Sequence, residues 1–387
     1  MTIYLDHNAT TAPAPEVLSA MWPVYERLWA NASSQHAPGQ DARRALAAAR
    51  ATVARVLRCK PAEVIFTSGA TEANHLAVRG LLAAAPAGRT RVLFSAVEHA
   101  GHLRLARALA EAGVPVELLP VLPDGRLDLQ AAAERIGPDV ALVSLMAANN
   151  ETGLLMPVAE VAALAGAAGA RLHVDATQYV GKLPFGFDAC GADAVSFSAH
   201  KFHGPKGVGA LLLRQGVPFS PQTLGSQERG RRGGTENLPG IVGLAAALER
   251  LGDDAAMQAE AARQAELRDT LETGLMAALP GAVHVWGRGL PRLPGTSYLR
   301  VGCLSAEVLL QRLERLGIAA SAGAACSSGG SEPSHVLRAM GVPADEALAA
   351  VRLSLGQGSQ APDIHALLAG LPRLLRPLLQ EAQAAAA

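Results

Sequence analysis

An α/β fold with one large, mostly parallel sheet and a smaller α+β unit behind it is what this chain predicts, and three observations carry the prediction. At 387 residues it is long enough for two packed units, or for one large domain with an appendage. From about Val64 to Leu213, short β-branched runs alternate with Ala- and Leu-rich helical stretches. Such alternation implies parallel strands covered by helices on both faces. Further on, short apolar runs with helices to one side indicate a second, smaller α+β unit.

In chain order, Met1-Thr-Ile-Tyr-Leu-Asp6 opens like a strand. The large sheet is predicted from Val64–Thr67, Arg91–Ser95, Val116–Leu119, Val140–Leu145, Arg171–Val174, Ala194–Ser198 and Gly209–Leu213, with helices such as Gly101–Ala112 and Leu129–Ile136 between strands. Ligands of such sheets bind beyond the carboxyl ends of the strands. Residues Pro218–Gly240, rich in Gly, Pro and charge, break the rhythm and predict a long functional loop. One long helix is expected near Leu244–Leu279. Strands near Val283–Trp286, Thr296–Val301 and Val351–Leu355 and helices near Ala306–Leu316 and Asp363–Ala384 follow. The Ala-rich tail, Glu381–Ala387, is expected to fray. No internal repeat is visible. The expected division is a large domain over residues 16–250 and a small one formed by 1–15 with 251–387.

Composition narrows the function classes. Thirty-four basic residues balance 34 acidic ones, so charge gives no case for nucleic-acid or polyanion binding. No signal pattern opens the chain, and no run of 18 uncharged apolar residues predicts a membrane span. Cys59, Cys190, Cys303 and Cys326 are too few and scattered for a disulfide framework, and no CxxC suggests zinc. The expectation is a cytoplasmic protein with reduced thiols, no metal, no nucleic-acid partner and no membrane contact.

The chain has four lysines against thirty arginines. Lys201 closes the strand-like stretch Ala194-Val-Ser-Phe-Ser-Ala-His-Lys201, and Asp175 closes another, Arg171-Leu-His-Val-Asp175. A strand-end lysine can form a Schiff base with an aldehyde. A carboxylate on a neighbouring strand end can keep a pyridine nitrogen protonated. Together they are the two protein contacts that pyridoxal phosphate (PLP) asks for. Thr67-Ser-Gly-Ala-Thr-Glu72 lies between a strand and a helix, where backbone N–H groups at Ala70 and the Thr71 hydroxyl can face a phosphate. Alone it reads more simply as a capping turn with Thr71 as N-cap. Ser198 and His200, flanking the lysine, can add phosphate contacts.

Four further features stand at strand ends or in loops. Glu98-His99 offers an imidazole that can stack on a pyridine ring and move protons, although a lone strand-end histidine is more often structural. Asn149-Asn-Glu-Thr-Gly153 offers amides to a phenolate or carboxylate, or is simply a polar turn. Arg352, charged within Val351-Arg-Leu-Ser-Leu-Gly356, suits a bidentate carboxylate contact, or faces water from an edge strand. Ser321–Ser334 has no periodicity and no large apolar residue, and reads as an exposed loop carrying Cys326 as a nucleophile that travels. Cys59, Cys190 and Cys303 fit buried structural thiols better.

Taken together, these blocks resemble the cysteine desulfurases of the PLP-dependent fold-type I, aminotransferase class V group. The resemblance runs from Tyr4-Leu-Asp-His-Asn-Ala-Thr-Thr11 to the Arg352 strand. It includes Asn149-Asn-Glu151, His173-Val-Asp-Ala-Thr-Gln178, Ser198-Ala-His-Lys201, Gln227-Glu-Arg-Gly-Arg-Arg-Gly-Gly-Thr-Glu-Asn237 and the Cys326 loop. It implies that Lys201 binds the cofactor and then shuttles the substrate's α-proton, and that Asp175 pairs with the pyridinium. Gln178 and Asn150 contact the phenolate oxygen, and His99 stacks on the ring and serves as acid or base. Ala70, Thr71, Ser198 and His200 hold the phosphate, joined by Thr235 from the partner subunit of a homodimer. Arg352, with Asn150, grips the substrate carboxylate. Cys326 takes the sulfur of L-cysteine as a persulfide, leaving L-alanine, and passes it to an acceptor protein.

Ala32 in Asn31-Ala-Ser-Ser34, Ala324, Ala100-Gly-His102, His75 and Tyr179 depart from the usual pattern. None removes a catalytic group, but they bear on substrate preference. Selenocysteine lyases share the fold and motifs, so release of selenium from L-selenocysteine to an acceptor is the alternative. A plain aminotransferase or another β-eliminating lyase would have no use for the Cys326 loop. A degenerate sulfur-transfer scaffold would not need Lys201, Asp175, His99 and Cys326 intact.

Overall fold

The computed structural model describes residues 2–323 and 332–386, with 382–386 described by backbone alone. Strand β1 (Ile3–Tyr4) is followed by α1 (Pro15–Arg27) and α2 (Ala37–Val56). The large unit continues with β2 (Val64–Thr67), α3 (Ala70–Ala83), β3 (Arg91–Ser95), α4 (Ala100–Glu111), β4 (Val116–Leu119) and α5 (Leu129–Arg135). It closes with β5 (Val140–Met146), α6 (Val158–Ala168), β6 (Arg171–Asp175), β7 (Ala194–Ser198) and β8 (Gly209–Leu213). Helices α7 (Leu238–Glu249) and α8 (Asp254–Ala278) lead to β9 (Val283–Trp286), β10 (Thr296–Val301), α9 (Ala306–Arg315), β11 (Ile318–Ala319) and β12 (Ser321–Ala322). Helices α10 (His335–Ala339) and α11 (Ala344–Leu348), strand β13 (Val351–Ser354) and helix α12 (Ala361–Ala386) complete it.

Seven strands form the large sheet in the order β2-β8-β7-β6-β5-β3-β4. Strand β8 runs against both its neighbours, and β7, β6, β5, β3 and β4 pair in parallel. All seven residues of β5 are buried, as a strand covered on both faces requires. One face packs Phe94, Leu142 and Leu211 under Leu76 of α3 and Leu105 of α4. The other packs Val143, Leu145 and Val195 against α2, α6 and α7 through Val53, Val161 and Ile241. The smaller sheet is antiparallel, in the order β12-β13-β10-β9, while β1 pairs in parallel with β11. Its core joins Leu5 to Leu271, Leu299, Leu353 and Leu367. Among the described residues no helix is long and apolar enough to cross a membrane.

Four expectations need correction. The helix expected over Leu244–Leu279 is two helices, broken where Gly252 takes φ 76° and Asp253 caps α8 by accepting from Ala256 N–H at 2.9 Å. The Ala-rich tail continues α12 to Ala386 instead of fraying at Glu381, in line with alanine's helix propensity. Cys303 is exposed, whereas Cys59 and Cys190 are half-buried. Thr71 is not the cap of α3: Gly69 holds that place, and Thr71 falls in the first turn.

The loop after β8 is pinned from beneath. Glu228, at φ 49°, receives both Arg50 guanidinium nitrogens of α2, at 2.7 and 2.8 Å, and the Phe66 N–H at 3.0 Å. Both side chains are nearly sealed from water, at 9% and 1% exposure. A buried pair is costly to break from one side, because the remaining charge stays desolvated. Glu228→Ala should therefore cost about 3–5 kcal/mol and lower Tm by on the order of 10 °C. Calorimetry of the variant against wild type checks this, and the smaller loss expected for Glu228→Gln separates lost charge from lost hydrogen bonds.

Candidate active site

The carboxyl ends of β3, β5, β6 and β7 emerge at one edge of the large sheet, and the loops leaving them surround a cavity of about 540 Å³. Ala70, Thr71, His99, Asn150, Asp175, Gln178, Ser198, His200 and Lys201 all line it. Residues up to 131 positions apart in sequence thus meet because parallel strands deliver every one of these turns to the same side.

Asp175 ends β6 at the floor of the cavity and is buried. Burial pushes its carboxyl pKa up, but hydrogen bonds outweigh it and hold the group below the ordinary carboxylate range. Thr177 N–H donates to Oδ1 at 2.9 Å and Asn74 Nδ2 to Oδ2 at 2.7 Å. Asp175 is therefore an anion facing a concave site. Lys201 closes a 3₁₀ turn after β7, and its Nζ donates to the carbonyls of Asn8 and Ala9 at 2.7 and 2.9 Å. These contacts hold the lysine amine at the cavity wall, where it can react with an aldehyde.

His99 caps α4, its Nδ1 accepting the Gly101 N–H at 3.1 Å. That contact places the proton of the neutral ring on Nε2. Burial lowers the His99 pKa and so favours this neutral form. Glu98 beside it is fully buried, and burial pushes its pKa up to about 8. Its Oε1 accepts from Ser95 Oγ and Met146 N–H, at 2.6 and 2.7 Å, while Oε2 is unpartnered among the described residues. Burial thus favours the neutral carboxyl, which braces the turn through these two bonds.

The N-terminus of α3 supplies an anion site. Its first turn leaves the N–H groups of Ala70, Thr71 and Glu72 without acceptors inside the helix. Gly69 makes this possible, with φ 155° and a backbone that Gly209 approaches so closely that a Cβ there would meet Gly69 Cα at 2.8 Å. His200 lines the same cavity; burial, then the charges of Lys201 and Lys206, lowers its pKa to about 4. A phosphate with an aldehyde-bearing pyridine fits this set of groups: helix-start N–H donors, a carboxylate held as an anion and a lysine amine about one cavity. Asn150 adds a buried Oδ1 with no partner among the described residues. Its neighbour Asn149 instead builds the turn, with Oδ1 accepting from Glu151 and Thr152 N–H at 2.9 Å each.

Arg352 lies in β13 between β12 and β10, buried rather than at a sheet edge. It donates to the Asn150 carbonyl at 2.9 Å, to Asp6 Oδ1 at 2.8 Å and to Ser321 Oγ at 3.1 Å, and its Nε has no partner among the described residues. It stands behind Asn150 and does not line the main cavity. Thr235 lies away from that cavity, in a hollow of about 300 Å³ with Tyr25, Trp29 and Asn31. Cys326 and Ala324 fall outside the described residues. The residues that flank their segment, Gly323 and Glu332, line a hollow of about 320 Å³ together with His99 and Asn150.

Sequence reading missed several contributors. Asn74 lies mid-helix in α3 with nothing local to mark it as a partner of Asp175. The main-chain acceptors of Asn8 and Ala9 carry no side-chain signal at all. A buried relay of side chains crosses the sheet behind Asp175: His102 Nε2 to Ser144 Oγ at 2.7 Å, Ser144 to His173 Nδ1 at 2.8 Å, and His173 Nε2 to Ser196 Oγ at 2.9 Å. Strand alternation could have exposed part of it, since His173 and Asp175 share one face of β6.

The geometry defines an α/β enzyme of the strand-end lysine type, with an ionised carboxylate and an anion-binding helix start about one cavity. The chain belongs to the aminotransferase class-V family, whose pattern matches residues 3–367. Enzymes of this family are in general PLP-dependent. A cysteine desulfurase of Cereibacter sphaeroides is 48% identical over 97% of this chain and 96% of its own length. Among solved structures, a NifS-like protein superposes with a TM-score of 0.89 at 34% identity, covering 97% of this chain and all 100% of that one. A structure described as SspA in complex with cysteine gives 0.81 at 30% identity, over 92% and 99% of the two chains.

The buried relay predicts a pH dependence. Burial, and then mutual repulsion with His173, depresses the His102 pKa to about 3, while burial depresses that of His173 to about 4. Below the ordinary histidine value of 6.5 the unfolded chain therefore binds more protons than the folded one. The stability is fully present above pH 6.5 and is lost as pH falls from 6.5 toward 3. His102→Leu should remove one such group and flatten the acid limb by about 1.4 kcal/mol per pH unit. Denaturant titrations of both proteins at steps between pH 7 and pH 4 read that slope directly; an unchanged slope contradicts it.

Proposed function

We propose that this enzyme cleaves the C–S bond of L-cysteine to give L-alanine, holding the sulfur as a persulfide on Cys326. The observation that carries this reading is the joint placement of Lys201 and Asp175 in one cavity, with His99 and Asn150 shared between it and the hollow flanked by Gly323 and Glu332. PLP, when bound, supplies an aldehyde for the lysine amine and a ring that accepts the electron pair released at carbon. Ala70, Thr71, Ser198 and His200 would hold its phosphate. Asp175, kept anionic by Thr177 and Asn74, would hold the proton on the ring nitrogen.

The protein groups then divide the work. Lys201 Nζ takes the α-proton of the substrate and returns a proton to carbon. His99, with Nε2 directed by its cap on Gly101, is the second acid or base. Gln178 and Asn150 face the ring oxygen, and Arg352 receives the substrate carboxylate with Asn150. Cys326 as thiolate attacks the substrate sulfur: the S–S bond forms as the Cβ–S bond breaks, and the released pair is protonated to complete alanine. The balance is L-cysteine plus enzyme thiol to L-alanine plus enzyme persulfide, with no external oxidant or reductant.

Likeness to a cysteine desulfurase and to a protein solved in complex with cysteine favours cysteine over selenocysteine as the substrate. The homodimer is part of this reading. Leu18, Trp22, Tyr25 and Trp29 line an exposed apolar side of α1 and the turn after it, next to the hollow that holds Thr235, so Thr235 is assigned to the partner's phosphate site. Residues 16–250 would form the large domain, and 1–15 with 251–387 the small one that bears Cys326. A cytoplasmic setting and a sulfur-acceptor protein complete the proposal.

The deciding experiment measures alanine from L-cysteine and from L-selenocysteine with purified, PLP-loaded protein. Wild type should turn over L-cysteine. Cys326→Ala should lose that activity while keeping its yellow absorbance, and activity that survives in this variant overturns the persulfide step. Lys201→Ala and His99→Ala should each lose roughly 10²–10⁴-fold. Turnover of selenocysteine alone would move the assignment to a selenocysteine lyase.

A further inference from the structure

Lys182 is a second amine beside the site, and the chemistry above does not use it. It lies four residues past Gln178 in the turn after β6 and is half-buried without lining the cavity. Its Nζ donates to Gln178 Oε1 and to Asn8 Oδ1, both at 2.6 Å. Gln178 Nε2 in turn donates to the Asn8 carbonyl at 2.9 Å, the same oxygen that receives Lys201 Nζ at 2.7 Å. Asn8 is itself fixed from the small sheet: its Nδ2 donates to Thr296 Oγ1 at 2.9 Å, and its N–H to Ser354 Oγ at 2.9 Å.

The direction of these bonds follows from donor chemistry. An ammonium has donors only, so both amides must turn their oxygens toward Lys182. That leaves the Gln178 nitrogen pointing at the Asn8 carbonyl, with its second N–H for the cavity that Gln178 lines. Flipping the Gln178 amide would set its oxygen against the Asn8 carbonyl and its NH₂ against the amine. Burial, then the charges of Lys201 and Arg352, holds the Lys182 pKa well below the ordinary lysine value. Even as a neutral amine it retains two N–H groups for the same two oxygens.

We propose that Lys182 is a positioning residue of this active site: acting on the amide oxygens of Gln178 and Asn8, it fixes the N–H that Gln178 presents to the cavity and the carbonyl on which Lys201 rests. The inference rests on the cofactor reading above, in which Gln178 faces the oxygen of the PLP ring. An N–H donor at that oxygen withdraws electron density and makes the adjoining C=N group less basic. Loss of Lys182 lets the amide turn, and the basicity should rise.

The test is the pH titration of the visible absorbance of the PLP-loaded protein, together with the rate of cofactor release. Lys182→Met should raise the titration midpoint by about one unit, a tenfold change in proton affinity. It should also speed cofactor release. Gln178→Ala should raise the midpoint by itself, and adding Lys182→Met to it should change little further, because one residue acts through the other. A Lys182→Met midpoint equal to that of wild type overturns the proposal, as does an equal shift in the two backgrounds. Should the Met variant not fold, Lys182→Leu likewise removes the donor and is read in the same way: a rise supports the role and a wild-type midpoint overturns it. A wild type that takes up no PLP is a different failure, which sinks the cofactor reading itself.

Discussion

Keeping the carboxylate of Asp175 ionised inside the protein is the constraint on which the site depends. Burial alone favours the neutral acid, and a neutral acid cannot hold a proton on a pyridine nitrogen. Two directed hydrogen bonds reverse that preference, and each has a cost elsewhere. Thr177 must fold back immediately after β6, and Asn74 must place a polar side chain on the buried side of α3. Because α3 is held in place for this contact, its N-terminus also stands fixed at the far end of the cavity, where the phosphate is assigned. The anion at the floor and the anion site at the rim are thus set by one helix. At Glu98, His102 and His173 burial prevails, raising the pKa of the carboxyl and lowering those of the imidazoles, so the neutral forms are favoured. Of these buried groups only Asp175 is held as an ion, and it is the one that faces the cavity.

A second dependency links the two sheets. The segment Asp6–Asn8 runs between them, bonded to Ser354 on one side and to Lys201, Lys182 and Gln178 on the other. Asp6 holds Arg352, whose guanidinium also reaches the Asn150 carbonyl. The groups assigned to the cofactor and the group assigned to the substrate carboxylate are therefore oriented by one short stretch of backbone.

The strands of the large sheet were legible in the sequence because fully buried parallel strands read as unbroken apolar runs with polar residues at their ends. The same signal marked Asp175, His99, Asn150 and Lys201, each the first polar residue or nearly so after such a run. What stayed hidden came from tertiary contact. Asn74 is an ordinary polar residue within a helix, and the carbonyls of Asn8 and Ala9 belong to the backbone that every residue shares. Lys182 carried no sequence signal, since nothing nearby in the sequence reports the two amide oxygens that its amine contacts. The helix break at Gly252 was written in the Gly-Asp-Asp sequence, but the apolar periodicity on either side masked it.

The pairing of β1 with β11 has a consequence for the order in which the molecule is made. Residues of the first strand contact partners near position 318, and Asp6 meets an arginine 346 positions later. On a ribosome that releases the N-terminus first, the large sheet has all its strands by Leu213, while Thr296, Ser354 and Arg352 are still to be synthesised. Until they emerge, Asn8 lacks the anchors that fix its carbonyl under Lys201. The amine is present in the nascent chain, but the seat that orders it is among the last parts to form. Ordered capture of an aldehyde is thereby deferred until almost the whole polypeptide exists, and a chain truncated before β13 would carry Lys201 without the Ser354 anchor of Asn8.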